Sequence, residues 1–343
     1  MLVSLWFLIV VGVLVSSRYL GERNLFTTFL LYLPQGLWAL PGIFLIPFLF
    51  TVSFRWGLLL MIGVWVIIVN GLGYKIATPH DASQRRRPNE LVILTNNHGQ
   101  AAGQSLQPFK NLMTPDILAL QETPGRAQKY LADPSYAEFK YAESLGEFTV
   151  LSRFPLRNGS LVSVVAPATG RNVTYAARFE VDWNGNPIVL YSVHLPSPRG
   201  ALLAMRGGAF LYGLPAPSTS KWAMNGAKMQ TFWTQQIELA ENLISRVKAE
   251  TLPTILAGDF NSPSVGYIHH SLTQTLLDTH LEAGSGFGYT FPGVTRNPLS
   301  LGGPWLRIDY VFCTKNWTVN WSICEPDRTS QHRAVAACLV GKN

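Results

Sequence analysis

The first 74 residues hold almost no charge. Arg18, Glu22, Arg23 and Arg55 are the charged side chains of that stretch, in a protein of 343 residues with 27 basic and 20 acidic groups. A helix that crosses a bilayer needs roughly 20 consecutive apolar residues, because no water is there to satisfy its backbone. Leu2 to Ser17 is apolar and stops at Arg18. Leu25 to Phe54 is a second run, broken by Pro34-Gln35, and Trp56 to Tyr74 is a third. The pattern predicts about three transmembrane helices, near 2–17, 36–54 and 57–74, with 25–35 as an interfacial or re-entrant lead-in. Trp38, Trp56 and Tyr74 stand near the ends, where aromatic belts form. A cleavable signal is the alternative for the first run. It lacks a basic start, and Val15-Ser16-Ser17 is a weak cleavage site. The expected location is integral to a plasma or inner membrane. Basic residues Arg18, Arg23, Lys75 and Arg85-Arg86-Arg87 favour a cytoplasmic C-terminal domain if three helices span, and the opposite side if the number is even.

Residues 75–343 keep 24 basic and 19 acidic groups, the ordinary mixture of a globular domain with net charge +5. Lys75 to Glu90 carries Pro79, Pro88 and the Arg triplet and reads as a linker. Short β-rich segments follow at 91–95, 117–120, 149–152, 174–181, 188–193, 254–257, 308–312 and 334–340. Helical spacing appears in Met229, Phe232, Ile237, Ala240, Leu243, Ile244 and Val247, and a shorter helix is expected within 265–277. Strands early and late with few helices between them predict an α/β sandwich, two packed sheets with helices outside. Residues 196–226, rich in Gly, Pro, Ser and Ala, read as a long loop over the active face. Trp222, Phe232 and Trp233 belong either to the core or to a surface dipping into lipid. Three cysteines, Cys313, Cys324 and Cys338, give neither a closed disulfide framework nor a zinc spacing.

Several segments end in polar residues that a core has no use for: Asn97, Glu122, His194, Asp259 with Asn261, Asp309 and His332. Each alone has a bland reading as a turn former or cap. As a set at buried strand ends they are costly unless they converge on a metal or a charged substrate. Carboxylate and amide oxygens suit a hard cation such as Mg²⁺. No HExxH spacing points to a zinc hydrolase. Metal-assisted phosphoester cleavage matches this inventory.

In this order, PDILALQE, LSRFPL, GDFN, RIDYVF and a final S-x-H resemble the endonuclease/exonuclease/phosphatase superfamily over residues 91–340, and the apolar N-terminus resembles its membrane-anchored bacterial members. The resemblance implies a four-layered α/β sandwich, two mixed sheets flanked by helices, as the catalytic domain 91–343. It implies Glu122 and Asn97 at a Mg²⁺ site, with Mn²⁺ as substitute, and Asp259 orienting or deprotonating water. It also implies Asn261 binding phosphate or orienting the nucleophile, His194 as phosphate ligand or general acid, and Asp309 fixing the tautomer of His332, so that either Asp259 or the Asp309–His332 pair is the base. Arg153 in LSRFPL is expected to be structural. Where the family commonly has S-D-H, this chain has Ser330-Gln331-His332, so Gln331 enters the metal set as a neutral replacement.

The implied activity is in-line attack of water on a phosphodiester or phosphomonoester of nucleic acid, lipid headgroup or small molecule. Scattered Arg199, Arg206, Lys221 and Lys228 are the candidates for holding nucleic acid. A catalytically weak, membrane-tethered binding module of the same fold is the alternative, with Gln331 as its sign. The partners implied are the phosphoester and the membrane; no protein partner is inferred.

Overall fold

The computed structural model describes residues 2–77, 87–99, 105–205, 221–293, 303–326 and 330–342. In chain order its helices are α1 (Leu2–Tyr19), α2 (Leu25–Leu31), α3 (Leu40–Val52), α4 (Phe54–Val66), α5 (Gln107–Met113), α6 (Ala127–Leu131), α7 (Arg199–Met205), α8 (Lys221–Ala249), α9 (Tyr267–Thr273) and α10 (Thr279–Ala283). Its strands are β1 (Glu90–Asn97), β2 (Ile117–Gln121), β3 (Tyr141–Leu145), β4 (Phe148–Ser152), β5 (Leu156–Ala166), β6 (Arg171–Trp183), β7 (Asn186–His194), β8 (Thr254–Asp259), β9 (Leu277–Asp278), β10 (Asp309–Cys313), β11 (Trp317–Cys324) and β12 (Val335–Gly341).

The chain divides into two compact units. One is Lys75–Pro196 with Glu238–Asn261 and Leu272–Asn343; the other is Met1–Tyr74 with Ser197–Ile237 and Ser262–Ser271. Residues 1–74 are thus joined in one unit by two later segments of the chain. The larger unit holds two six-stranded mixed sheets, ordered β11-β12-β1-β2-β4-β3 and β5-β6-β7-β8-β10-β9. Strands buried on both faces need apolar residues on both. In β1, Leu91 and Ile93 enter the cluster between the sheets with Ile117, Phe179, Leu190, Ile255 and Val311. Val92 and Leu94 point the other way, into a second cluster with Phe109, Met113, Tyr130 and Phe139 around α5 and α6. Beyond the second sheet, the Tyr175 hydroxyl donates to Asn242 of α8 and the Tyr191 hydroxyl to Glu250 just after it. Helix, sheet, sheet, helix is the layering expected. The three cysteines are free thiols, two of them buried. Arg153 donates to the Pro115 carbonyl, a structural contact as expected.

In the N-terminal unit, Gly42 of α3 lies where an added Cβ would meet the Trp6 ring at 2.4 Å, and Leu60, Val64 and Ile67 are buried. The outward side chains are large and apolar: Phe44 is 74% exposed, Phe54 69% and Trp56 64%. Two helical stretches, Gln35–Val52 and Phe54–Gly71, are long and apolar enough to cross a membrane. The expected count of three is thus corrected to two, because Val3–Tyr19 falls short of the length of a full crossing.

The expected loop at 196–226 also differs. It contains α7 and the start of α8; residues 206–220 lie outside the described residues. Leu202, Phe232, Phe29 and Tyr32 of the same unit pack around Trp233, so Trp233 is a core residue and Phe232 a partly buried one; the Trp222 side chain lies outside the described residues.

Candidate active site

Strand pairing assembles most of the site. β7 and β8 run parallel with His194 opposite Asp259, and β10 runs antiparallel to β8 with Asp309 opposite Asp259. His194, Asp259 and Asp309 therefore stand side by side across three strands. In the other sheet, parallel β1 and β2 bring Asn97 opposite Gln121, and Glu122 follows. The hydrogen bond from Gln121 Nε2 to Ser192 Oγ, 3.0 Å, joins the sheets below this level.

GDFN shows how local sequence builds local geometry. Gly258 has φ +153, and a Cβ there would lie 1.9 Å from the carbonyl oxygen of Val193, so the close approach of β7 to β8 demands glycine. Asp259 is buried. Phe260 is fully buried and packs edge-on against Tyr310 and Phe312. Asn261, at φ +48, donates from its backbone to Asp259 Oδ1 at 2.8 Å and from Nδ2 to the Leu195 carbonyl at 2.8 Å. Glu122 also has positive φ, +57. A left-handed glutamate costs backbone energy, and such strain concentrates at functional sites.

The charged groups form one network. Asn97 Nδ2 donates to Glu122 Oε1 at 3.1 Å and to Asp259 Oδ2 at 3.0 Å. Its Oδ1 accepts from the Gly99 amide, which fixes the amide's orientation. His332 Nδ1 lies 3.1 Å from both oxygens of Asp309 and 3.8 Å from Asp259 Oδ2. His194 Nδ1 lies 3.1 Å from Glu147 Oε1, with Nε2 3.8 Å from Asp259 and 4.0 Å from Glu122.

Burial and the neighbouring Asp309 carboxylate raise the pKa of Asp259, against the opposing pull of His332, His194 and Asn97. Burial works to lower both imidazoles, but their carboxylate neighbours outweigh it. His194 is raised, through Glu147 foremost, and His332 is pushed up to about 9 by Asp309 and Asp259. At neutral pH His332 is therefore a cation held between two carboxylates.

Asp259, Asp309 and His332 offer three ligand atoms within 4.8 Å of one another, all buried. Their oxygen-rich chemistry fits a hard divalent cation. Gln331, next to His332 in the chain, is exposed, and its backbone carbonyl accepts from the Gly293 amide at 2.7 Å. Glu147 had no signal in the sequence. It follows Gly146 in the turn between β3 and β4, where a glutamate reads as solvated surface.

A family model described as the endonuclease/exonuclease/phosphatase family matches residues 96–332, well over half of the chain. No curated protein matched the sequence. Among solved structures, the endonuclease/exonuclease/phosphatase from Beutenbergia cavernae DSM 12333 is similar at TM-score 0.50 and 19% identity, covering 74% of this chain and 72% of that one. A family protein from Bacteroides thetaiotaomicron gives TM-score 0.50 at 14% identity over 75% and 100%. D. rerio TDP2, complexed with single strand DNA product, gives 0.50 at 15% over 73% and 98%. At these identities the likeness carries the fold, and it agrees with the family match and with the two mixed sheets flanked by helices: the chain belongs to the endonuclease/exonuclease/phosphatase family.

Proposed function

We propose that the protein is a membrane-anchored, Mg²⁺-dependent phosphoesterase that cleaves a phosphodiester or phosphomonoester by in-line attack of water. Members of this superfamily are hydrolases of phosphoester bonds. The observation that carries the reading is the buried network in which Asp259 stands between His194 and the Asp309–His332 pair. Nothing in a fold requires two adjacent buried carboxylates and two imidazoles at its strand ends, and the arrangement opposes folding unless chemistry uses it.

Asp259 takes the proton of the attacking water. Its pKa is raised, which makes it a better base, and the Asn261 amide and the Asn97 side chain hold its oxygens in place. His332, cationic and aligned by Asp309, holds a non-bridging phosphoryl oxygen. His194, supported by Glu147, protonates the leaving oxygen. Glu122 and the neighbouring carboxylates would hold the cation, with Asn97 orienting Glu122. Once bound, the cation neutralises charge on the phosphoryl oxygens. Mn²⁺ is the expected substitute, since it takes the same carboxylate oxygens. Gln331 brings no charge, but Glu122, Asp259, Asp309 and both imidazoles are retained, so the neutral residue there does not silence the site.

The two long apolar helices, with large exposed side chains, support anchoring in a plasma or inner membrane. They favour a lipid-borne or small phosphoester, while the DNA product bound to D. rerio TDP2 favours nucleic acid. A panel on the full chain in detergent decides: single- and double-stranded DNA, sphingomyelin, phosphoinositides and nucleotides, each with Mg²⁺ or EDTA, beside Asp259→Asn. Mg²⁺-dependent turnover of one class, lost in the variant, is expected. Equal turnover in EDTA, or in Asp259→Asn, would refute the proposal. Specific substrate binding without turnover would favour a tethered binding module.

A further inference from the structure

We infer that Glu22 is a positioning residue for the catalytic loop, acting through Ser262; this rests on the phosphoesterase reading above. Glu22 is the lone acidic residue of the first 74, and it is fully buried. Its Oε1 accepts from Ser262 Oγ at 2.7 Å, and its Oε2 from the backbone amides of Tyr267 at 2.8 Å and Ile268 at 3.2 Å. All of these residues belong to the N-terminal unit.

The docking is built from both sides. Gly21 has φ +42, and a Cβ there would lie 2.5 Å from the Tyr267 nitrogen. A Cβ on Gly266 would lie 2.6 Å from Glu22 Oε1. Neither position admits a side chain without moving the carboxylate or the backbone that it binds. The Arg23 guanidinium lies 3.8 Å over the Tyr267 ring, and Arg18 Nε donates to His270 Nδ1 at 3.2 Å. Burial of a carboxylate against three hydrogen bonds is a costly way to make a surface loop, and here it fixes the segment Ser262–Ile268.

Ser262 is joined by a peptide bond to Asn261, whose amide and side chain hold Asp259. The carboxylate thus restrains the chain one residue beyond the group that orients the proposed base. Small displacements of such groups cost rate more than binding.

The chemistry separates shape from charge. Glutamine at 22 keeps one oxygen for both amides and offers an N–H to the Ser262 hydroxyl, which can accept as well as donate. Alanine keeps none of this. The experiment uses the full chain in detergent with wild type, Glu22→Ala and Glu22→Gln. Hydrogen exchange at the Tyr267 and Ile268 amides is read alongside kcat and KM on the substrate class found above. Faster exchange and a fall in kcat of about tenfold or more at nearly constant KM are expected for Glu22→Ala, with both restored in Glu22→Gln. Unchanged exchange in Glu22→Ala would overturn the docking. Faster exchange with unchanged kcat would overturn the positioning role, and failure of glutamine to rescue would show that charge is what matters. If wild type turns over nothing on the panel, the phosphoesterase reading fails and the positioning role with it, while the exchange data still decide the docking.

Discussion

Replacing Asp309 by asparagine tests the charge logic of the site. The substitution keeps size and shape but removes the charge that both Asp309 oxygens place 3.1 Å from His332 Nδ1. Two unit charges at that separation interact by about 5 kcal/mol at an effective dielectric near 20. Burial opposes this, and the net result is an imidazole held at about 9 against its ordinary 6.5. In Asp309→Asn the remaining support is Asp259 at 3.8 Å, which ionises more readily once its like-charged neighbour is gone. His332 should fall back toward the ordinary imidazole range, and the asparagine amide competes for the wrong tautomer. The assay is histidine ring NMR across pH 5–10 in EDTA, paired with hydrolysis in Mg²⁺. The expected outcome is a clearly lowered His332 titration and a rate loss of about 10²- to 10³-fold, the cost of losing one charged donor to a phosphoryl oxygen. A His332 titration unmoved from the wild-type value, or a rate loss under about fivefold, would show that Asp309 neither charges nor aligns the ring.

Three further outcomes are expected. Gly258→Ala should lower stability by about 3 kcal/mol or more, or prevent folding, because its Cβ would meet the Val193 carbonyl; a thermal midpoint within a degree or two of wild type contradicts this. Glu138→Ala should cost about 3 kcal/mol by leaving the buried Lys110 ammonium without its ion-pair partner, whereas the double change with Lys110→Met should recover most of it; denaturant midpoints decide. In EDTA, stability should decline on both sides of neutrality. His332, raised in the fold, contributes stability that is complete below about 6.5 and is lost as pH rises through about 9. His280, buried and lowered to about 4, contributes stability that is present above about 6.5 and is lost as pH falls toward 4. A thermal midpoint that rises from pH 6.5 to 10 would contradict the first sign, and one that falls from pH 4 to 6.5 would contradict the second.

The eight strands expected from sequence all lie inside the two sheets. The four without a sequence signal, β3, β5, β9 and β11, are the four edges. The cause is physical. A central strand is buried on both faces and reads as a continuous apolar run, whereas an edge strand is open along one side and tolerates charge. β5 carries Arg157, Asn158, Gly159 and Ser160, and β3 carries Glu143 and Ser144. The edges were illegible for the same reason that they resist pairing with other chains.

The site was legible to a different depth. His194, Asp259 and Asp309 stood out because each interrupts an apolar strand, and the pairing of β7, β8 and β10 sets them side by side. Asn97 ends β1, and its amide spans Glu122 and Asp259 as a donor, a role that spacing cannot distinguish from metal ligation. Glu147 was invisible because a charged residue next to a turn glycine reads as solvated surface; only the folded hairpin places it on His194.

Glu22 sharpens the same point in reverse. In sequence it looks like punctuation between apolar runs, one charge at the end of a helix. Its burial against Ser262, Tyr267 and Ile268 makes it an internal residue of a unit assembled from three separated stretches of chain. A division at residue 75 therefore describes the order of the chain but not its packing. Cutting there removes the acceptor of three hydrogen bonds and strips α2 from Met229 and Trp233. Each lost acceptor leaves a donor that water must re-satisfy, at about 1 kcal/mol or more apiece if the site stays closed. A fragment beginning at Lys75 should thus show rapid exchange at 262–268 and reduced turnover even with every catalytic side chain present. If that fragment matches the full chain in both, the segment Ser262–Ile268 holds its shape unaided and the N-terminal unit is an anchor alone.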